Sequence, residues 1–81
     1  MKYECTRDTD LDDLIGHDES DGFHSGPLYT AMKRDEPLEL VDSARLSAVV
    51  RTRLEHVRHG FVIVETGERI LPPEHFKLLL H

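Results

Sequence analysis

The most strongly patterned stretch of the chain is residues 43–64, which read SARLSAVVRTRLEHVRHGFVIV. Apolar side chains recur at helical spacing through most of it, and this predicts one long helix over residues 43–59. Asp42 or Ser43 is suited to cap that helix, and Gly60 is suited to end it. The predicted apolar stripe, roughly 140° wide at about 100° per residue, comprises Leu46, Val49, Val50, Leu54 and Val57.

Arg53 interrupts this stripe, because it projects about 20° from Leu46 and about 40° from Val57. Three explanations are open for a guanidinium at such a position. Arg53 extends to water along its own apolar stem, it pairs with a buried carboxylate, or this part of the stripe faces a partner. The first is favoured, since burying an unpaired charge costs several kcal/mol.

A hairpin and a closing helix are predicted after the long helix. Residues 61–64 are aromatic and β-branched, which is typical of a buried strand. Residues 66–67 suit a turn, and residues 68–71 would form the returning strand. The proline pair at 72–73 ends that strand, and residues 74–80 are predicted to form a short helix.

The first half of the chain carries weaker signals for short elements. They predict a strand at residues 2–6, a short helix capped by Thr9 and ended by Gly16, a polar loop at residues 17–26, a second short helix from Pro27 ended by Pro37, and a strand at residues 38–41.

Together these elements predict an α+β fold for residues 1–81 as a single small domain. We expect a small antiparallel sheet of two to four strands packed on one long helix (about 43–59), with two or three short helices. The domain would have an acidic N-terminal half (1–42) and a helix–hairpin–helix C-terminal half (43–81).

Charge is distributed unevenly along the 81 residues, whose formal net charge is −6. Residues 1–42 hold twelve acidic and four basic residues, whereas residues 43–81 hold four acidic and six basic ones. No apolar run is long enough for a membrane span, and the first residues contain no apolar signal-peptide core. With one cysteine, Cys5, and therefore no internal disulfide, a cytoplasmic protein is expected.

No residue set in the sequence predicts an active site or a metal site. Cys5, His17, Asp18 and His24 are chemically suitable ligands, but their spacing is not a zinc spacing, and a solvated loop is the simpler interpretation. Cys5 is predicted to be a small buried hydrophobe, because nothing in the sequence would activate its thiol. We therefore expect no enzyme activity, no metal and no cofactor.

The functional hypothesis is a non-catalytic protein-binding module, such as a small inhibitor or adaptor, that docks through an acidic surface on a basic partner protein. In size and charge the chain is similar to small inhibitors that phages encode against host nucleic-acid machinery. The predicted partner-binding residues are Asp10, Asp12, Asp13, Asp18, Glu19, Asp21 and Arg53.

A DNA-binding regulator is the alternative. The order of a helix and a hairpin over residues 43–71 resembles the end of a winged-helix domain, and it implies that Arg45, Arg51 and Arg58 contact nucleic acid. The net charge opposes this alternative, because phosphate contacts need a positive footprint. A homodimer is also open, and DNA binding would need one, since a single small module buries little DNA surface.

Overall fold

The computed structural model describes residues 1–64 and 66–81. This part of the chain forms a small mixed structure, which confirms the predicted combination of helices and strands. The strands are β1 (Lys2–Glu4), β2 (Gly16–Glu19), β3 (Gly22–Ser25), β4 (Leu38–Val41), β5 (Phe61–Ile63), β6 (Glu68–Ile70) and β7 (Leu78–Leu80), and the α-helices are α1 (Leu11–Ile15), α2 (Pro27–Arg34) and α3 (Ala48–Val57).

The largest sheet is parallel, so the prediction of an antiparallel sheet was wrong for it. Its order is β1–β4–β7, and β4 pairs in parallel with both neighbours. Parallel neighbours need long crossover connections. Here α1, the β2–β3 hairpin and α2 connect β1 to β4, while α3 and the β5–β6 hairpin connect β4 to β7.

Residues 74–80 do not form the predicted closing helix. The last three of them are β7, and their backbone completes the sheet: the Leu38 amide donates to the Lys77 carbonyl over 2.8 Å. Asp35 fixes the approach to β7, because its carboxylate accepts from the His75 amide and from His75 Nδ1, each over 2.7 Å. A short run of leucines is compatible with either element, and here the edge of the sheet selects a strand.

The predicted long helix is also shorter than expected. Residues Ser43–Arg45 form a separate 3₁₀ turn, Leu46 is extended, and α3 begins only at Ala48. Ser47 caps α3, since its hydroxyl accepts from the Val50 amide over 3.2 Å. Leu46 is buried although it precedes the helix. For this reason the apolar pattern begins before the first residue of α3.

The two helices of the N-terminal half exist, with different boundaries. Asp10, not Thr9, caps α1, and the buried Thr9 hydroxyl instead accepts from the Thr6 amide over 2.9 Å. Helix α2 ends at Arg34, before Pro37. The helix ends there because Asp35 adopts the left-handed backbone conformation that terminates many helices.

Two antiparallel hairpins contact the helices, one through β2 against α1 and the other through β6 against α2. The pairing of β5 with β6 confirms the predicted C-terminal hairpin. Each of these two strands ends one residue earlier than predicted. The predicted loop at residues 17–26 was wrong, because β2 and β3 form a second hairpin there. No helix in the described part of the chain is long and apolar enough to cross a membrane.

The buried core lies between the sheet and the three helices. Its members are Cys5, Leu14, Leu28, Ala31, Met32, Leu38, Leu40, Leu46, Val50, Leu54, Ile63, Ile70 and Leu78.

Candidate functional site

The predicted partner-binding residues lie on two parts of the surface. Asp10 and Asp12 border a shallow depression of about 260 Å³ between α1 and α3, together with Arg53. We call this depression the α1–α3 groove. Its lining residues are Asp10, Leu11, Asp12, Val49, Val50 and Arg53.

The acidic side of the groove is fixed by the start of α1. The Asp10 carboxylate accepts from the Asp13 amide over 3.1 Å, and the Asp13 carboxylate accepts from the Asp10 amide over 3.0 Å. This reciprocal capping satisfies two amides that a helix start leaves without partners. Negative charge is also favoured at this end of a helix, so local structure explains why acids stand here.

The other side of the groove is both apolar and basic. Val49 is 62% exposed, so it is not part of the buried stripe to which the sequence assigned it. At about 100° per residue, Arg53 projects about 60° from the buried Val50, at the edge of the stripe and on the side of Val49. Within residues 1–64 and 66–81, no carboxylate forms an ion pair with the exposed Arg53.

A second depression adjoins the groove along α3. It has a volume of about 290 Å³ and is lined by Ala48, Val49, Thr52 and Arg53. Val49 and Arg53 therefore stand between two recesses. This arrangement agrees with two of the three explanations for Arg53, since its guanidinium reaches water and its part of the helix presents an apolar residue outward.

The remaining predicted acids lie on the β2–β3 hairpin, where they are joined by two histidines. His17 and His24 are directly opposed across the hairpin, with ring centroids 5.8 Å apart and planes inclined by 14°. Glu19 and Asp21 approach the same rings. We call His17, Glu19, Asp21 and His24 the hairpin cluster.

Hydrogen bonds hold the hairpin cluster together. His17 Nε2 lies 2.7 Å from Glu19 Oε1, and His24 Nε2 lies 2.7 Å from Asp21 Oδ1. The second oxygen of Glu19 is 3.6 Å from His24 Nε2, so one carboxylate lies between both imidazoles. The hydrogen bond that His17 donates to Glu19 raises the pKa of His17, and the same bond lowers the pKa of Glu19.

Asp18 and Asp13 contribute to these surfaces in different ways. Asp18 is exposed and pairs with Phe23 across the hairpin, so it alternates with the cluster residues along β2. Asp13 is exposed on α1, where its carboxylate serves the capping of the helix.

The arginines of the DNA-binding alternative are differently placed. Arg45 and Arg51 are exposed. Arg58 is half-buried, with one guanidinium nitrogen 3.3 Å from Glu55 Oε1 and another donating to the Leu78 carbonyl over 3.4 Å. It therefore secures the end of α3 to β7.

Cys5 is 1% exposed, which confirms the prediction of a small buried residue. Burial raises the pKa of its thiol, and the nearby Asp42 carboxylate adds to this shift. Both effects favour the thiol over the nucleophilic thiolate.

Sequence reasoning missed that His17 and His24 are neighbours. They are seven positions apart, which suggests no helical or knuckle-type ligand set. In a hairpin whose turn is Ser20 and Asp21, however, that spacing makes them cross-strand partners. The signal was the Ser20–Asp21–Gly22 turn sequence, which lies between two short polar segments.

No protein-family model matches this chain, and no curated protein is significantly similar to it. Its function must therefore be inferred from the chemistry of the groove and of the hairpin cluster.

Proposed function

We propose that this chain is a non-catalytic protein-binding module of the cytoplasm, an inhibitor or adaptor that docks through the α1–α3 groove on a basic surface of a partner protein. The observation that carries the proposal is the position of Asp10 and Asp12 beside the exposed Val49. A protein interface commonly combines an apolar contact with a surrounding polar rim, and the groove provides both.

The charge of the chain supports a basic partner. Eight of the residues from Glu4 to Asp21 are acidic, and the α1 acids and the hairpin acids both belong to this segment. A concentration of one sign of charge accelerates encounter with a surface of the other sign. Proteins that handle nucleic acids present Lys and Arg channels, so they form the partner class that this surface fits best.

Arg53 gives the groove specificity as well as charge. It lies on the opposite wall from Asp10 and Asp12, so a partner must match a positive and a negative group across the groove. We expect replacement of Val49 by Asp to abolish binding, because it would place a charge at the centre of the contact.

The test is a capture experiment with three forms of the full chain. The groove variant carries Asp10→Asn, Asp12→Asn and Asp13→Asn, in which asparagine preserves the capping acceptors. The charge-matched control carries Glu4→Gln, Asp8→Asn and Glu74→Gln, which change exposed acids elsewhere. Each form is immobilised, exposed to lysate with and without nuclease treatment at low and high salt, and then measured against the purified partner.

The proposal predicts a stoichiometric protein that wild type and the control bind, and that the groove variant binds at least tenfold more weakly. High salt should weaken the complex, because the Debye length falls to about 3 Å at 1 M. Equal binding by all three forms would refute the groove as the docking surface. If the chain instead captured nucleic acid, and Arg51→Ala abolished that capture, the result would favour DNA binding through the arginines of α3.

A further inference from the structure

We propose that the β2–β3 hairpin is a binding site for a divalent transition-metal ion of the Zn²⁺ type, with His17, Glu19, Asp21 and His24 as its ligands. Nothing in the protein-binding proposal requires this site, and either proposal can fail alone.

The donor atoms of the hairpin cluster lie close together. One donor atom from each of Glu19, Asp21 and His24 lies within 4.8 Å of the others. His17 lies outside this group of three, but its Nε2 is 2.7 Å from Glu19 Oε1. Zinc ligands stand about 2.0–2.2 Å from the ion, so tetrahedral ligand atoms are about 3.4 Å apart. The 2.7 Å from His24 to Asp21 and the 3.6 Å from His24 to Glu19 bracket this distance, and rotation of the His17 side chain would bring its Nε2 to the same ion.

The backbone places the ligands on one face of the hairpin. His17 and Glu19 are two apart on β2 and therefore point the same way, and His24 stands directly across from His17. Asp21 is in the turn between the strands. Phe23 points the other way and packs against Tyr29 of α2, with ring centroids 5.4 Å apart, which anchors the hairpin to the fold.

The types of donor atom also select the class of ion. Two imidazoles with two carboxylates suit Zn²⁺ and its first-row neighbours, whereas Mg²⁺ and Ca²⁺ prefer oxygen donors alone. The four side chains are about half exposed or more, so an ion can reach them from solvent. Binding would replace the proton at each Nε2, which makes the affinity fall at acidic pH.

Isothermal titration of the untagged, metal-stripped full chain with ZnCl₂ tests this site. The expected result is one ion per chain, bound at least tenfold more tightly than Mg²⁺ under the same conditions. His24→Gln and Asp21→Asn should each weaken Zn²⁺ binding at least tenfold. His56→Gln and Asp8→Asn are the matched controls, because they remove an exposed imidazole and an exposed carboxylate outside the cluster.

A second measurement locates the ion and guards against misfolded variants. In ¹⁵N–¹H spectra of wild type, Zn²⁺ should shift residues of β2 and β3 and leave those of β5 and β6 unchanged. The proposal is overturned if wild type binds no Zn²⁺, if the cluster variants bind it as tightly as the controls, or if the shifts lie outside the hairpin. Asp21 lies in an exposed turn, so Asp21→Asn tests the site even if His24→Gln does not fold.

Discussion

The two hairpins of this molecule have similar connectivity and opposite chemistry. The β5–β6 hairpin is aromatic and β-branched and buries Ile63 and Ile70, each 3% exposed. In the β2–β3 hairpin most side chains are exposed, and Phe23 is its only half-buried side chain. One hairpin is held by burial of apolar surface, and the other depends on its turn, its glycines and its cross-strand polar pairs.

The source of stability decides which side chains of a hairpin are free for function. In a hairpin that burial stabilises, the inward side chains belong to the core. A hairpin that one aromatic side chain anchors leaves a whole face for ligands, and here that face holds the hairpin cluster. Changing one source of stability at a time separates these two cases.

Gly16→Ala should have the largest effect. Gly16 has φ 123°, and a Cβ there would lie 2.5 Å from the His24 carbonyl oxygen and 2.6 Å from Phe23 Cζ. Gly22 has the same φ of 123°, but among the described residues no atom lies within 4 Å of its added Cβ. Backbone strain alone costs about 1–3 kcal/mol, so we expect that loss for Gly22→Ala and about 4 kcal/mol or more for Gly16→Ala.

Urea unfolding of both variants measures the difference. Equal losses would show that backbone strain, rather than close packing at the base of the hairpin, governs its stability. The free energy of unfolding of a small domain is only about 5–15 kcal/mol in total. Gly16→Ala should therefore also lower the yield of folded protein.

Core truncation in the two hairpins should give the next largest difference. Ile70→Ala removes a buried side chain and should cost about 3 kcal/mol. Phe23→Ala removes a half-buried ring and its tilted contact with Tyr29, and should cost about 1.5 kcal/mol. If thermal or urea unfolding gave the larger loss for Phe23→Ala, the contrast between a buried and an anchored hairpin would be wrong.

Much of the fold was predictable where apolar side chains repeat. The strands around Leu38 and Phe61 were found because their composition is typical of strands. Leu46 and Leu78 misled the same reasoning, since each is buried by tertiary packing in a conformation that local periodicity does not specify. Whether β7 is a strand or a helix is decided by the open edge of β4, which lies far away in sequence.

The candidate site was predictable residue by residue but not as an arrangement. The concentration of acids picked out Asp10 and Asp12, and the interrupted apolar stripe of the predicted helix picked out Arg53. Their common groove exists because α1 packs against α3, and no local pattern encodes that contact. The hairpin cluster was missed for a different reason: without apolar alternation, the segment carries no strand signal apart from its turn.

Tyr29 connects the two hairpins, and its loss should have a smaller effect. Its ring contacts Phe23, and its hydroxyl donates to Glu68 of β6 over 2.9 Å. Lys33 reaches the other oxygen of Glu68 over 2.8 Å. Tyr29→Phe keeps the ring contact and removes one half-exposed hydrogen bond, so we expect a loss of about 0.5–1 kcal/mol in urea unfolding.

Tyr3→Phe is the matched control, because Tyr3 is also half-buried and its hydroxyl makes no hydrogen bond within the described residues. A loss for Tyr29→Phe no larger than that for Tyr3→Phe would mean that the bond to Glu68 does not hold the hairpins together.

The smallest expected effect is the pH dependence of the β2–β3 hairpin. The pKa of His17 is raised from its ordinary 6.5, chiefly by the hydrogen bond that it donates to Glu19, with Asp12 and Asp13 adding to the shift. This contribution is complete below pH 6.5 and is lost as pH rises through the folded-state pKa. The pKa of Glu19 is lowered from 4.5, so its contribution is present above pH 4.5 and is lost on further acidification.

The pair therefore stabilises the hairpin most between pH 4.5 and 6.5. His24 stacks on the His17 ring and Asp21 contacts His24, so the comparison must remove only one group. In metal-free buffer, wild type should lose more thermal stability than His17→Gln between pH 5.5 and pH 8. Parallel pH profiles would show that the contact between His17 and Glu19 forms without stabilising the hairpin, as exposed ion pairs often do. The hairpin cluster would then contribute only to ligand binding, and the contacts of Phe23 and the turn would be what stabilises the hairpin.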